Sequence, residues 1–233
     1  MPVKEAIILA GGLGTRLRSV VPDLPKCMAP VNGKPFISYV IDHFAKQGIE
    51  TFICALGYKH EIISDYLSAH HTNLQFKYSI ENSPLGTGGA IKLACKETTG
   101  DDVLVLNGDT IFNINLPLLT HFHTIKQSVC TLSLKSMINF DRYGVIVLDK
   151  EKRVHDFREK QFYEKGLINA GVYLLKISSF LKEGLPTSFS FEKDYLEKYF
   201  AQRPLFGLEQ DEYFIDIGIP EDFERAQTEL KNA

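Results

Sequence analysis

Apolar residues along this chain recur with two different periods, and the period changes near residue 110. Residues 6–9 form an unbroken aliphatic run closed by Gly11 and Gly12, the pattern of a strand buried on both faces of a parallel sheet. Similar apolar, β-branched or aromatic runs occupy 51–55, 74–79 and 103–106. Between the first two, residues 35–47 place Phe36, Ile37, Val40, Ile41 and Phe44 on one helical face, open on Pro35 and close at Gly48. Weaker helical patterns span 60–69 and 87–96. This alternation predicts right-handed βαβ units over the first ~110 residues, an α/β architecture with a mostly parallel sheet and helices on both faces. Beyond Asp109, strand-like runs at 129–134, 143–148 and 167–174 are separated only by short helical pieces, which predicts antiparallel additions to the same mixed sheet. The last clear helix covers 221–230. No Pro/Gly/Ser-rich linker or repeat divides the chain, so residues 1–233 are expected to form one domain.

Composition narrows the function classes. Twenty-six basic against 29 acidic residues, a net charge of −3, and no block of like charge give no footing for nucleic-acid or membrane-surface binding. No window approaches the roughly 18 apolar residues of a membrane span, and the first apolar run is too short for a signal-peptide core, so a cytoplasmic location is expected. Cys27, Cys54, Cys95 and Cys130 are far apart and lack C-x-x-C spacing; reduced, mostly buried thiols are expected. The pairs His70-His71 and His121-x-His123 lack supporting ligands at metal spacing and are expected to be solvated histidines at helix ends.

The chemistry is concentrated in the loop after the first strand. Ala10-Gly11-Gly12-Leu13-Gly14-Thr15-Arg16-Leu17 puts side-chain-free residues where backbone amides can approach a phosphate. It is not a dinucleotide fingerprint: Leu17 stands where a third small residue is required, and the second strand ends in Cys54-Ala55-Leu56-Gly57 without an acid. No Gly-Lys-Ser/Thr closes it, which excludes a P-loop. Instead Arg16 sits in the loop and Pro25-Lys26-Cys27-Met28-Ala29-Pro30-Val31-Asn32-Gly33-Lys34-Pro35 follows.

Gly-Gly-x-Gly-Thr-Arg-Leu followed by Pro-Lys-x-Met-x-Pro-Val-x-Gly-Lys-Pro resembles the signature of the sugar-1-phosphate nucleotidylyltransferases, whose fold is Rossmann-like and of glycosyltransferase-A type. The resemblance extends over nearly the whole chain. Pro84-Leu85-Gly86-Thr87-Gly88-Gly89-Ala90 resembles the second nucleotide loop, and Leu106-Asn107-Gly108-Asp109 the metal-binding strand end. Tyr143-Gly144, Glu159-Lys160, the segment 168–173 and Phe214-Ile215-Asp216-Ile217-Gly218 resemble the sugar side and second metal segment. Within the family, the segments 13–21, 140–144 and 213–218 are most similar to members that guanylylate a heptose 1-phosphate.

The resemblance implies attack by a sugar 1-phosphate oxygen on the α-phosphorus of a nucleoside triphosphate, with pyrophosphate leaving. A triphosphate of about −4 must meet a phosphomonoester of about −1.5 to −2, so charge is the main obstacle and the nucleophile is already ionised. Positioning and neutralisation then suffice, in keeping with the absence of a Ser-His-Asp pattern. The implied catalytic residues are Arg16, Lys26 and Lys160; Leu9, Ala10, Gly11, Gly12, Gly14, Thr15, Glu81, Pro84, Gly86, Thr87 and Asn107 are implied for the nucleotide, in a half spanning about 1–110. Gly144, Glu159 and Asn169 are implied for the sugar in the half from 111 to 233, and Asp109 and Asp216 for Mg²⁺. Guanine offers two adjacent donors that one carboxylate accepts together, which suggests Glu81, just before the second loop, as the base reader. GTP and a heptose 1-phosphate are the expected substrates. A mannose 1-phosphate or UTP-using relative, a homo-oligomer, and a silent sugar-nucleotide sensor stay open.

Overall fold

The computed structural model describes residues 2–12, 14, 17 and 20–231. The expected βαβ rhythm is present: β1 (Glu5–Leu9), a small β2 (Pro30–Val31) and β3 (Lys34–Pro35) hairpin, α1 (Phe36–Lys46), β4 (Thr51–Leu56), α2 (His60–His70), β5 (Gln75–Ile80), α3 (Gly86–Ala94) and β6 (Asp102–Asn107). There follow β7 (Thr110–Phe112), α4 (Leu116–Lys126), β8 (Cys130–Phe140), β9 (Val145–Leu148), β10 (Val154–Arg158), β11 (Tyr163–Lys176) and α5 (Ile177–Leu181). A π-helical turn (Phe191–Leu196), α6 (Glu197–Tyr199), β12 (Leu205–Glu209), β13 (Phe214–Asp216) and α7 (Pro220–Glu229) complete the described chain.

The main sheet runs β5-β4-β1-β6-β11, with β8 and then β12 continuing from β11, and the β9-β10 hairpin also leaning on β11. β4, β1 and β6 are parallel, as are β4 and β5. β11 enters antiparallel against β6 and β8, as the change of rhythm implies, whereas β12 pairs β8 in parallel. Alternation along β1 sends Ile8 into one core layer and Ile7 into the other, which is why the run is aliphatic throughout. Residues of α1, α2, α4 and α7 cover the first layer; α3, α5 and the π-helical turn cover the second.

Strand order reverses at β1: the chain adds β4 and β5 on one side of it and then returns to lay β6 on the other, so the crevice beyond the carboxyl ends of β1 and β6 is the expected ligand position. Far from it, the expectation of only short helical pieces after residue 110 is overturned by α4, 11 residues long. His121, His123 and two threonines mask its apolar stripe, while the Asn115 side chain accepts from Leu118 N at 2.9 Å as an N-cap. The histidine expectation is half right. His70 and His121 are exposed, but His71 and His123 are buried. His123 falls on the inward stripe of Leu116 and Leu119, with Nδ1 2.8 Å from Thr131 Oγ1; His71 Nε2 lies 3.2 Å from Ser38 Oγ. All four cysteines are free and buried, as expected, with burial pushing Cys54 and Cys95 up to about 12. None of the helices formed by the described residues is long and apolar enough to cross a membrane.

Candidate active site

The loop after β1 is tied down on both sides: Ala10 N donates to Ala55 O at 3.0 Å and Gly108 N to Leu9 O at 2.9 Å. Further along it, Gly14 has φ +58°, and a Cβ there would come within 2.8 Å of Lys26 Cβ. Only glycine fits that position without strain. A 3₁₀ turn, Lys26–Met28, follows Pro25 and is anchored by buried Cys27 and Met28, which leaves the Lys26 side chain pointing back across the loop. Thr15 and Arg16, expected in the nucleotide and catalytic sets, lie outside the described residues.

Asp109 and Asp216 are 107 positions apart and are brought together by a two-stranded ribbon. β13 pairs antiparallel with β7, setting Asp216 opposite Thr110, and Ile217 N donates to Asp109 O at 3.1 Å. Lys26 Nζ lies 2.5 Å from Asp109 Oδ2 and 3.5 Å from Asp216 Oδ1. The ammonium therefore bridges both acids rather than standing free for a phosphate. Asp216 is the more buried partner, and its Oδ1 accepts no hydrogen bond among the described residues. Burial and then repulsion from Asp109 raise its carboxyl above the ordinary range, against the pull of Lys26. Tyr143 OH donates to Asp216 Oδ2 at 3.4 Å, and its own ionisation is pushed up by burial.

These residues stand where two clefts meet. The larger, about 830 Å³, is lined by Leu9, Ala10, Gly11, Gly12, Gly14, Lys26, Glu81, Pro84, Gly86, Thr87, Asn107 and Asp109, so every nucleotide-side residue expected from sequence that is described lies in one cavity. Glu81 extends from the end of β5: Leu85 N donates to its Oε2 at 3.0 Å, while Oε1 faces Gly11 and Gly57, where a Cβ would sit 3.2 and 2.9 Å away. Those glycines leave the carboxylate room at the cleft wall. Thr87 is not simply a ligand group, because its hydroxyl donates to Glu192 Oε2 at 2.7 Å and accepts from Phe191 N at 2.8 Å.

The second cleft, about 630 Å³, shares Asn107 and is lined by Thr110, Tyr143, Gly144, Glu159, Lys160, Asn169, Glu192 and Asp216. Glu159 and Lys160 are exposed on its rim. Gly144 has a structural reason as well, since a Cβ there would strike Arg158 O at 2.6 Å across the hairpin. Asn169 is aimed by a bulge in β11: the register shifts between Asn169 and Tyr173, with Gly171 at φ +73° and Gly171 N donating to Asn169 Oδ1 at 3.1 Å. A Cβ on Gly171 would lie 2.4 Å from Asn107 Nδ2, so the bulge also accommodates Asn107.

Sequence reasoning passed over Tyr143 as a partner of Asp216, Cys27 in the nucleotide cleft wall and Glu192 in the second cleft. For Tyr143 the signal was its place beside Gly144; for the other two nothing in the local pattern separates them from packing or surface residues. The donor set fits a hard divalent cation. It consists of carboxylate oxygens, one of them orphaned in a buried position, beside Gly218, where a Cβ would come within 2.9 Å of Asp216 Oδ1 and 3.3 Å of Lys26 Nζ.

A family profile described as nucleotidyl transferase matches residues 5–233. The chain is 48% identical over 228 residues to the D-glycero-alpha-D-manno-heptose 1-phosphate guanylyltransferase of Aneurinibacillus thermoaerophilus, covering 98% of this chain and 99% of the relative. It is 45% identical over 219 residues to the protein of the same description in Campylobacter jejuni, covering 94% and 96%. Among solved structures, HddC from Yersinia pseudotuberculosis complexed with GMP-PN superposes with a TM-score of 0.89 at 36% identity, covering 98% of this chain and 100% of that one.

Proposed function

The chain belongs to the nucleotidyl transferase family, and from that premise we propose that it transfers a guanylyl group from GTP to D-glycero-α-D-manno-heptose 1-phosphate, giving GDP-heptose and pyrophosphate. The observation that carries this reading is the meeting of two clefts at Asn107, with Lys26, Asp109 and Asp216 gathered at the junction. A cavity for the triphosphate and a cavity for the phosphosugar then present their phosphates to one polar cluster. The relatives named above, and the guanine nucleotide in the HddC complex, favour GTP and the heptose.

In the proposed reaction a phosphate oxygen of the sugar 1-phosphate forms a bond to the α-phosphorus as the bond from that phosphorus to the β-phosphate bridging oxygen breaks. Both electrons of the broken bond leave with pyrophosphate, and no proton needs to be removed from the nucleophile near neutral pH. The work of the protein is to hold the two anions in line and offset their repulsion. Glycines 11 and 12 let backbone approach the triphosphate, and Lys26 offers its ammonium at the junction; Arg16 is assigned to the phosphates from the sequence resemblance alone. Asn169 and Glu159 face the sugar, and Lys160 stands on the rim for its phosphate. Asp109 and Asp216 would hold Mg²⁺, which supplies further positive charge to the phosphates and helps orient them. Glu81 accepts from guanine N1–H and the 2-amino group, while Leu85 N fixes its carboxylate.

The test is pyrophosphate release with Mg²⁺ across GTP, ATP, UTP and CTP, crossed with the 1-phosphates of heptose, mannose, glucose and N-acetylglucosamine. The GTP and heptose pair should give the highest kcat/KM. Glu81→Gln should lose at least about tenfold of the preference for GTP over UTP, the order expected when one charge-assisted pair is removed. Folded protein that releases pyrophosphate from no pair overturns the reaction, and a Glu81→Gln enzyme with its GTP preference intact overturns the base assignment.

A further inference from the structure

Glu192 stands on the π-helical turn, a backbone form that recurs at functional sites, and lines the second cleft. Its carboxylate is held by two hydroxyls, one from α3 and one from the start of the turn itself. Thr87 Oγ1, in the first turn of α3, donates to Oε2 at 2.7 Å, and Ser190 Oγ donates to the same oxygen at 3.0 Å. Tyr173, fully buried in β11 beside Glu192, accepts from Asn169 Nδ2 at 2.8 Å. Burial, then the charge of Glu192, keeps that hydroxyl protonated. Because Thr87 Oγ1 accepts from Phe191 N, its single proton is committed to Glu192 and the geometry is fixed at both ends.

Polar side chains therefore line up from the bonded pair Asn169–Tyr173, past the Glu192 carboxylate beside it, to Thr87. They begin on the sugar-side strand and end on the helix that walls the nucleotide cleft, although the two elements adjoin different cavities. A half-exposed carboxylate clamped only for stability has no need of a cleft. Here the named partners are neutral hydroxyls, which orient the charge without cancelling it, and a carboxylate has acceptor capacity for about four donors.

We propose that Glu192 is a further sugar-binding residue, whose carboxylate, its direction fixed by the bonds from Thr87 and Ser190, accepts from hydroxyls of the phosphosugar. This rests on the reading of the second cleft as the sugar site. It adds a second acid to Glu159, on a different element and held rigidly rather than on the rim.

The experiment compares wild type with Glu192→Gln and Tyr173→Phe, using whichever sugar 1-phosphate of the four-sugar panel wild type turns over fastest, so an error in the heptose assignment leaves this test standing. Glu192→Gln is isosteric and keeps the Thr87 contact within reach. It should raise KM for the sugar 1-phosphate about tenfold or more, with KM for the triphosphate within about twofold, and narrow the spread of kcat/KM across the four sugars. Tyr173→Phe should shift the same KM in the same direction by a smaller factor. Thermal melts of each protein separate these effects from unfolding, and direct binding of the sugar 1-phosphate to the folded fraction covers a variant that melts early. A sugar KM unchanged in Glu192→Gln, or both KM values rising in parallel, overturns the proposal and assigns Glu192 to packing.

Discussion

Asp216 is a side chain whose cost and use are the same property. It is four-fifths buried with one oxygen unbonded, and its neighbour Asp109 repels it, so the ionised form leans chiefly on the Lys26 ammonium 3.5 Å away. In the proposed function this carboxylate helps hold Mg²⁺, and a site arranged in that way is destabilising while the cation is away. Asp216→Asn keeps the shape and removes the excess negative charge of two carboxylates sharing one ammonium, leaving Lys26 paired with Asp109 at 2.5 Å. The variant should melt above wild type in metal-free buffer, by about 1 kcal/mol, which for a chain of this size is about 2–4 °C. It should also lose turnover and any Mg²⁺-dependent rise in melting temperature that wild type shows. Equal melting and an equal Mg²⁺ shift in the two proteins would mean that Asp216 is not strained and does not hold the ion. The residue types were legible in the chain, because an acid among Phe214, Ile215 and Ile217 calls for compensation. That Lys26 compensates both acids was not, since it depends on a side chain 83 residues from one and 190 from the other.

At the scale of elements, two short irregularities position the chemistry. The β7–β13 ribbon has three residues per strand and carries no periodic signature, so sequence patterning passed over it; yet it alone brings Asp216 beside Asp109. The bulge in β11 is the second. Its apolar run reads as an ordinary strand, and only Gly171 hints that the register breaks. The same strand is 14 residues long, and β8 is 11, because their outer halves pair with each other past the packed core, where polar residues hide the period. Gly171→Ala tests whether the bulge matters to the site. The backbone at φ +73° disfavours a Cβ by about 1–2 kcal/mol, and the new atom would meet Asn107 Nδ2 at 2.4 Å. The variant should be destabilised by about 2 kcal/mol or more and should lose at least tenfold in kcat/KM, as Asn107 and Asn169 are both displaced. Full activity at wild-type stability, measured by pyrophosphate release and thermal melting, would show that neither side chain depends on the bulge.

For the whole molecule, the two halves expected from sequence, about 1–110 and 111–233, mostly line different clefts but do not form two separable sheets. β11, from the later half, pairs directly with β6, from the earlier half, over Val172↔Leu106 to Lys176↔Asp102, and β13 returns to pair with β7. Apolar patterning could show that strands exist in both halves; it could not show that they interleave, because pairing partners 66 to 106 residues apart leave no local mark. Interleaving has a thermodynamic consequence. If the halves shared only an edge contact, each would open on its own free energy; with β11 completing the β6 edge, opening the later half leaves buried β6 backbone unpaired, so both should open together. We therefore expect amide exchange followed by mass spectrometry to give peptides from β1, β4 and β6 the same limiting opening free energy as peptides from β8 and β11. Binding of GTP, which contacts mainly the first cleft in the proposed function, should raise both sets by the same amount, about 2.7 kcal/mol at a hundredfold excess over Kd. If the β8 and β11 peptides exchange through a lower-energy opening that GTP leaves unchanged, the halves are independent units and the Thr87–Glu192 bond spans an interface rather than a single core.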